Sequence, residues 1–184
     1  MTWVLHSFSD SAKELKKIRT IAGTGMLIAL SIAVKTQTIS ITSSLRVSFA
    51  FLGLSVIAML YGPVVAMFAG AITDLIGFFM STSTFGFNPV WTIFEAIVGL
   101  IYGLLLYKAG KMVIPRIIFA QAAVNIFVHI GLNTWGLVYF FNVALKPRLV
   151  TSIIKNGILL PVEIALMIAI LLPVREISRR VSRT

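Results

Sequence analysis

The sequence contains no cysteine, only six acidic residues and two histidines. The lack of cysteine excludes disulfides, thiolate catalysis and cysteine-ligated metal sites. The scarcity of acids and histidines leaves little material for a metal centre or a carboxylate-pair enzyme. Charged residues make up 12% of the chain, against about 25% in soluble domains. Because 58% of the 184 residues are hydrophobic and the mean hydropathy is +0.98, the composition indicates an integral membrane protein.

Six apolar runs account for most of the chain, and a helical span needs about 20 mainly apolar residues. The runs lie at roughly 20–40, 49–61, 64–80, 89–107, 113–138 and 150–174. We therefore predict an all-α integral membrane protein with six transmembrane helices, forming a single membrane domain over 1–184. Within it, a basic N-terminal segment covers 1–19, the six-helix bundle covers 20–174, and a basic tail covers 175–184.

Two local features refine this division. Gly62-Pro63 separates the second and third runs, and proline disfavours helix before it while starting the next helix well. We predict a tight helix–turn–helix there, with one long kinked helix as the alternative.

Near the N-terminus, which does not resemble a cleavable signal, Ser11 followed by Glu14 fits a capping box that opens a short surface helix. A frayed tail is the alternative.

The basic residues predict the orientation. Eleven of the sixteen lysines and arginines fall on one side if the six spans alternate. These are Lys13, Lys16, Lys17, Arg19, Lys108, Lys111, Arg116, Arg175, Arg179, Arg180 and Arg183. Since cytoplasmic segments are enriched in lysine and arginine, both termini are predicted to be cytoplasmic.

Five cations remain for the outer side, with few acids beside them. They are Lys35, Arg46, Lys146, Arg148 and Lys155. A basic outer mouth with apolar walls suits an anionic ligand. A single lysine, however, often lays its apolar stem along the helix surface so that its ammonium group reaches the lipid headgroups. For Lys35 and Lys146 we favour extension to the headgroups, and for Arg46 and Arg148 we favour ligand binding.

Small residues recur at helical spacing. Ala29 and Ala33 form a small-xxx-small pattern in the first span, as do Gly99 and Gly103 in the fourth, and we interpret the second pair as packing within the bundle. Asp74 lies between Gly70 and Gly77, on a face suited to close contact. An intramembrane acid is either functional or paired with a cation on another helix, and we keep both interpretations of Asp74.

Polar and aromatic residues accumulate near the outer ends of the later spans. Asn125, His129 and Asn133 are spaced by four, so an α-helix would align them in one stripe, typical of a pocket wall or of interhelical hydrogen bonding. We predict a structural role for His129. Trp91 offers a stacking surface for a ligand, although aromatic residues in such places also form interfacial belts.

Taken in order, these motifs resemble the folate-family substrate-binding (S) component of energy-coupling factor transporters, over about residues 20 to 166. The residues that carry the resemblance are Arg46-Val-Ser-Phe49, Phe51-Leu52, Tyr61-Gly62-Pro63, Gly70, Asp74-Leu-Ile-Gly77, Gly99-Leu-Ile-Tyr-Gly103, Asn133-Thr134-Trp135, Arg148, Lys155-Asn156 and Leu160-Pro161-Val-Glu163-Ile164. Two departures concern the lid of the family: Gly53 stands where its members have proline, and the loop Ser81–Phe87 differs.

The resemblance implies a vitamin-binding subunit that is not itself an enzyme and carries no cofactor. Its expected partners are folate or a reduced folate, a transmembrane coupling protein and two cytoplasmic ATPases, in the plasma membrane of a prokaryote. Ala29 and Ala33 map onto the docking face for the coupling protein, and transport is expected to involve toppling of the whole S component. The chain also lacks a GxxxxGK[ST] phosphate-binding loop, so ATP hydrolysis is expected on the partners.

Folate chemistry gives the predicted binding residues. Asparagine side chains suit the pterin edge, aromatic rings stack on its faces, and cations neutralise the glutamate. The predicted residues are Arg46, Phe49, Phe51, Asn88, Trp91, Asn133, Thr134, Trp135, Arg148, Lys155 and Asn156, with no catalytic or metal-binding residue. The alternative function is a self-sufficient secondary transporter or channel for another organic anion, which a basic outer mouth would also permit. A membrane lipid phosphotransferase is disfavoured, because the acids are too few to hold a divalent metal.

Overall fold

The computed structural model describes residues 2–36, 39–42, 45–47, 49–80, 87–109, 112–141 and 144–181. The elements are α1 (Thr2–Glu14), α2 (Ile18–Thr36), β1 (Ile39–Thr42), β2 (Leu45–Val47), α3 (Ala50–Tyr61), α4 (Pro63–Met80), α5 (Pro89–Leu106), α6 (Val113–Ala123), a π-helical segment (Val124–Leu132), α7 (Asn133–Phe141) and α8 (Leu145–Val181). The segment from α6 through α7 forms one continuous helical rod.

The predicted all-α membrane fold is confirmed. Within the described residues, five helical stretches are long and apolar enough to cross a bilayer, at Ile18–Lys35, Pro63–Met80, Pro89–Leu106, Val113–Phe140 and Leu145–Arg180. The apolar helix α3, at 12 residues, is shorter than a typical span. An antiparallel hairpin of β1 and β2 joins α2 to α3, with Ser40 opposite Arg46. The count of six crossings and the cytoplasmic location of both termini remain predictions.

Large apolar side chains cover the outside of the bundle, as a bilayer requires. Ile18 is 83% exposed, Phe79 75% and Phe127 68%. Inside, the core contains fully buried side chains from several helices, including Ile57, Tyr102 and Ile117. In lipid such exposed surface carries no penalty, so packing between helices depends on shape and on polar contacts.

The boundary between α3 and α4 is a true break in the helix. Gly62 has φ of 89°, a left-handed conformation that glycine adopts readily, and Pro63 begins α4. The alternative of one long kinked helix is therefore wrong, and the predicted separation at Gly62-Pro63 is confirmed.

The predicted capping box is wrong, because Ser11 lies near the end of α1 and not at the start of a helix. Its buried hydroxyl caps a different helix. It accepts hydrogen bonds from the backbone N–H groups of Val64 (3.0 Å) and Val65 (3.2 Å) and donates one to the carbonyl oxygen of Tyr61 (2.8 Å). Sequence spacing did not reveal this cap, since it joins residues more than fifty positions apart. It fixes α1 to the bundle, so the alternative of a frayed tail is also wrong.

Most of the predicted cytoplasmic cations gather at this same end of the bundle. Lys108 follows α5 and forms an ion pair with Asp10 of α1 at 2.6 Å. The guanidinium of Arg175 on α8 donates to the carbonyl oxygen of Ala109 at 3.2 Å. The hydrogen bond from Lys17, together with that from Thr20, lowers the pKa of Glu14 at the end of α1.

Glycines allow α4 and α5 to approach at backbone distance. A Cβ atom added to Gly70 would collide with the backbone oxygen of Glu95, and one added to Gly99 would collide with that of Ala66. Gly103 faces the backbone of Pro63 in the same way. The interpretation of Gly99 and Gly103 as internal packing is therefore confirmed.

We predict that Gly99→Ala destabilises the protein by about 1–3 kcal/mol, because the new methyl group has to displace the backbone of α4. The measurement is reversible unfolding of the purified protein in detergent. Gly157→Ala on α8 is the matched control, since nothing lies within 4 Å of its added Cβ. Equal stability of the two variants would show that α4 and α5 are not in backbone contact.

Candidate functional site

A polar cavity of about 230 Å³ lies inside the bundle, bordered by α2 to α6, the π segment and α8. Its polar walls are formed by Lys35, Thr73, Asp74, Glu95, Gln121, His129, Lys155, Asn156 and Glu163. Apolar walls come mainly from Phe51, Leu54, Val98 and Leu159. All three acids of the apolar region therefore face one cavity, together with two lysines. This mixture of charges differs from the purely basic mouth that the sequence predicts.

An ion pair crosses one side of the cavity. The Lys35 ammonium lies 3.6 Å from the Asp74 carboxylate, and the Thr92 hydroxyl donates to the other carboxylate oxygen at 3.0 Å. The prediction that Lys35 extends to the headgroups is therefore wrong. A Cβ added to Gly77 would touch the Lys35 side chain, so the small residue makes room for the cation. The interpretation of Asp74 as paired with a cation on another helix is confirmed, and its functional role stays a prediction, although the residue lines the cavity.

A second network fixes Glu163 on α8. One of its oxygens accepts hydrogen bonds from Gln121 at 2.7 Å and from Asn125 at 3.1 Å. Gln121 in turn accepts a hydrogen bond from the buried Tyr102 hydroxyl at 2.5 Å. Because two amides hold one carboxylate oxygen, the orientation of the Glu163 side chain is set before any ligand arrives.

The π segment changes the polar stripe predicted for this helix. In an α-helix Asn125, His129 and Asn133 would share a face. Here the Asn133 N–H donates to the Val128 carbonyl oxygen, five residues back, so each turn of this segment contains more residues than a turn of an α-helix. Asn125 is buried against Glu163 and His129 lines the cavity, whereas Asn133 is not among the lining residues. The predicted alignment of all three is wrong for this reason.

Three of the predicted binding residues meet in the cavity: Phe51, Lys155 and Asn156. The Asn156 amide donates to the backbone oxygen of Ser152 at 2.8 Å, so its carbonyl oxygen is directed elsewhere. Phe49 immediately precedes α3, whose first two residues, Ala50 and Phe51, line the cavity.

Four more of the predicted residues lie outside the cavity lining, as Asn133 does. Asn88 caps α5 by accepting from the Val90 N–H at 3.1 Å, and Trp91 packs edge-to-face on Phe94. Thr134 is buried and donates to the Ser152 hydroxyl at 3.3 Å. Trp135 is 55% exposed and stacks on Tyr139, the arrangement expected of an interfacial belt.

The arginines are the remaining predicted residues. Arg148 is half-buried near the start of α8, and its Nε atom is buried without a hydrogen-bond partner among the described residues. Arg46 lies in β2, and its side chain is outside the described residues. The loop 81–86, where the sequence departs from the family pattern, is also outside them.

The predicted binding residues leave out most of the polar walls of the cavity, which are Lys35, Thr73, Asp74, Glu95, Gln121, His129 and Glu163. Gln121 precedes Asn125 by four positions and His129 by eight, so extending the polar stripe toward the N-terminus would have found it. No comparable signal marks Thr73, which lines the cavity beside Asp74.

The arrangement is suited to binding a polar solute. It offers carboxylates, amides and ammonium groups within an apolar shell, and the described residues contain no cluster of metal-ligating side chains. A bundle of membrane-spanning helices around such a cavity defines a membrane-embedded solute-binding or transport protein.

Comparison with known proteins narrows this class. A family model described as "ECF-type riboflavin transporter, S component" matches residues 15–173. The chain is 33% identical over 150 residues to the folate transporter FolT of Leuconostoc mesenteroides, covering 77% of this chain and 78% of that protein. It is 28% identical over 150 residues to FolT of Clostridium novyi, covering 81% of this chain and 86% of that protein. The crystal structure of FolT bound with folic acid is similar with a TM-score of 0.73 at 29% identity, covering 82% of this chain and 91% of that chain.

The chain therefore belongs to the family of S components of ECF-type transporters. It is a membrane-spanning transport component and not an enzyme, as the sequence predicts.

We predict that Lys35→Met destabilises the protein by about 1–3 kcal/mol, because it leaves the carboxylate of Asp74 in the cavity without its cation. Adding Asp74→Asn to this variant is expected to restore much of the loss, since the amide still accepts from Thr92 and carries no charge. Unfolding of the two single variants and the double variant in detergent measures the coupling. Additive losses would show that the pair contributes nothing.

Proposed function

We propose that this chain captures folate or a reduced folate at the outer face of a prokaryotic plasma membrane, as the binding subunit of an ATP-driven importer. The observation that carries the proposal is the mixed charge of the cavity, where three carboxylates and two lysines surround one small space. The similarity to FolT of two bacteria and to FolT bound with folic acid supports the same ligand.

The cavity chemistry favours folate over riboflavin, which the family description names. The pterin of folate presents an amino group beside a ring N–H, and these two parallel donors match the two oxygens of a carboxylate. The corresponding edge of riboflavin is a ring N–H between two carbonyl oxygens, and a carboxylate repels these two oxygens. Riboflavin also carries no carboxylate for the lysines to bind.

Glu163 is the residue we assign to the pterin edge. Gln121 and Asn125 both bind one of its oxygens, which orients the carboxylate toward the cavity that it lines. Phe51 is the lining residue suited to stack on the ring. The cavity of about 230 Å³ is below the roughly 300–1,000 Å³ of pockets that enclose a complete drug-sized ligand, so bound folate extends beyond these walls.

We assign Lys155 to the glutamate part of folate. Its side chain lines the cavity from α8, eight residues before Glu163 and therefore nearer the outer end of the helix under the predicted orientation. The pterin would then lie deeper in the bundle and the glutamate nearer the mouth. Arg46 and Arg148 remain proposed contributors at the mouth, together with Phe49, Asn88, Trp91, Asn133, Thr134, Trp135 and Asn156.

The first test is equilibrium binding of folic acid and riboflavin to the purified chain in detergent. We expect folic acid to bind at least a hundredfold more tightly than riboflavin. Glu163→Gln should weaken folic acid at least tenfold, because the amide replaces one acceptor by a donor that faces the pterin amino group. Tighter binding of riboflavin would overturn the folate assignment.

The second test compares folic acid with pteroic acid, which lacks the glutamate. Lys155→Ala should weaken folic acid about tenfold or more and pteroic acid much less, because only folic acid places the glutamate carboxylates there. Lys146→Ala is the matched control, since it removes the same charge from an exposed position on α8. Equal losses for both ligands would contradict a role of Lys155 in binding the glutamate.

The proposed importer also needs a docking face for its coupling protein. Ala29 and Ala33 are exposed on α2, so packing within their own bundle does not account for them. They line an apolar groove of about 690 Å³ between α2 and α4, beside Ile28, Ala69 and Ile72. A shallow groove with small residues at its edge permits close approach of a partner helix.

Ala29→Trp and Ala33→Trp should prevent assembly with the coupling protein and the two ATPases while leaving folate binding unchanged, because each fills the groove. Leu30→Trp is the control, since Leu30 is 58% exposed on the same helix but does not line the groove. Co-purification of the complex, folate binding and cellular uptake are measured for all three. Uptake that persists without the ATPases would favour the alternative of a self-sufficient secondary transporter.

A further inference from the structure

A second pocket lies at the opposite end of the bundle from Lys35 and the start of α3, and the proposed function does not use it. It has a volume of about 220 Å³ and is formed where the ends of α3, α5 and α8 meet. Three of its lining side chains are cationic, Lys108, Arg175 and Arg179, and none of the described residues that line it is acidic. A concave site with this charge attracts an anion.

The two arginines that line the pocket repel each other electrostatically. Arg175 and Arg179 are four residues apart on α8, so they lie on the same face of the helix, where like charges repel. Arg175 is directed toward the pocket by its hydrogen bond to the Ala109 carbonyl oxygen at 3.2 Å. Ser178 lies on the same face and adds a hydroxyl group to the lining.

Lys108 contributes a fixed charge on the opposite wall. It has φ of 49°, a left-handed conformation that is uncommon outside glycine and that places it just beyond the end of α5. Its hydrogen bond to Asp10 raises its pKa. Asp10 pairs with Lys108, while Arg175 and Arg179 line the pocket from α8.

The apolar part of the lining distinguishes a lipid from a free anion. Met59, Leu60 and Leu106 form the rest of the walls together with Ala109. Leu106 ends the apolar stretch Pro89–Leu106, so the pocket lies at the depth where hydrocarbon meets headgroups. Basic pockets between helices at that depth are suited to anionic phospholipid headgroups.

We propose that this pocket binds the phosphodiester headgroup of one anionic phospholipid, with Arg175 and Arg179 on the phosphate and the apolar walls against the glycerol and upper acyl chain. The single negative charge of the phosphodiester reduces the repulsion between the two arginines of α8, and the bound lipid links the end of that helix to α3 and α5. The site is separate from the polar cavity, so its test does not depend on the identity of the transported solute.

The experiment uses the purified full chain in neutral detergent. Phosphatidylglycerol, phosphatidylcholine and inorganic phosphate are added separately, and thermal unfolding and native mass spectrometry are recorded. We expect one phosphatidylglycerol to be retained per chain and to raise the unfolding temperature by several degrees, with no such effect from phosphatidylcholine. Equal stabilisation by inorganic phosphate or by phosphatidylcholine would overturn the lipid assignment.

Arg179→Gln and Arg180→Gln form a matched pair, because each removes one positive charge from the same turn of α8. Arg180 pairs with Glu176 at 2.7 Å and does not line the pocket. We expect Arg179→Gln to weaken phosphatidylglycerol binding about tenfold and Arg180→Gln to leave it unchanged. Equal weakening by both would indicate diffuse attraction to the basic end of the bundle and would contradict a defined site.

Discussion

The backbone contact between α4 and α5 is the constraint on which the rest of the bundle depends. Gly70, Gly99 and Gly103 remove the side chains that would hold the two helices apart. The same contact has a chemical consequence, because Gly70 packs against the backbone of Glu95 and lies one turn before Asp74. Two carboxylates on different helices are thereby brought to one cavity, in a membrane where isolated charges are costly.

Side chains from elsewhere in the sequence stabilise the carboxylates of Asp74 and Glu163. Lys35 comes from α2 to pair with Asp74, and the amides of Gln121 on α6 and Asn125 in the π segment bind Glu163 on α8. The π segment contributes to the same polar interior, since it contains the buried Asn125 and also His129, which lines the cavity. Polar groups that would be unfavourable singly in lipid thus form hydrogen-bonded networks around a space for a solute.

The two ends of the bundle have different electrostatics. Carboxylates and lysines mix around the polar cavity, which suits a solute that has donors at one end and acids at the other. At the far end, lysine and arginine dominate, which suits the phosphate surface of a membrane. Between them, Ala29 and Ala33 of α2 line an apolar groove together with residues of α4.

The sequence by itself determined the membrane class, the placement of the helices and the break at Gly62-Pro63, because hydropathy and the backbone limits of glycine and proline are local properties. It also pointed to Phe51, Lys155 and Asn156, and the order of its motifs indicated the family. Only the tertiary structure decided that Lys35 faces Asp74, that Ser11 caps α4, and that the carboxylates share one cavity. These contacts join residues distant in the chain, and in the π segment a change of helical period moved Asn133 away from the residues with which an α-helix would align it. The sequence contains only six acidic residues, which by itself served to disfavour enzyme classes. The tertiary structure shows that half of them line the polar cavity.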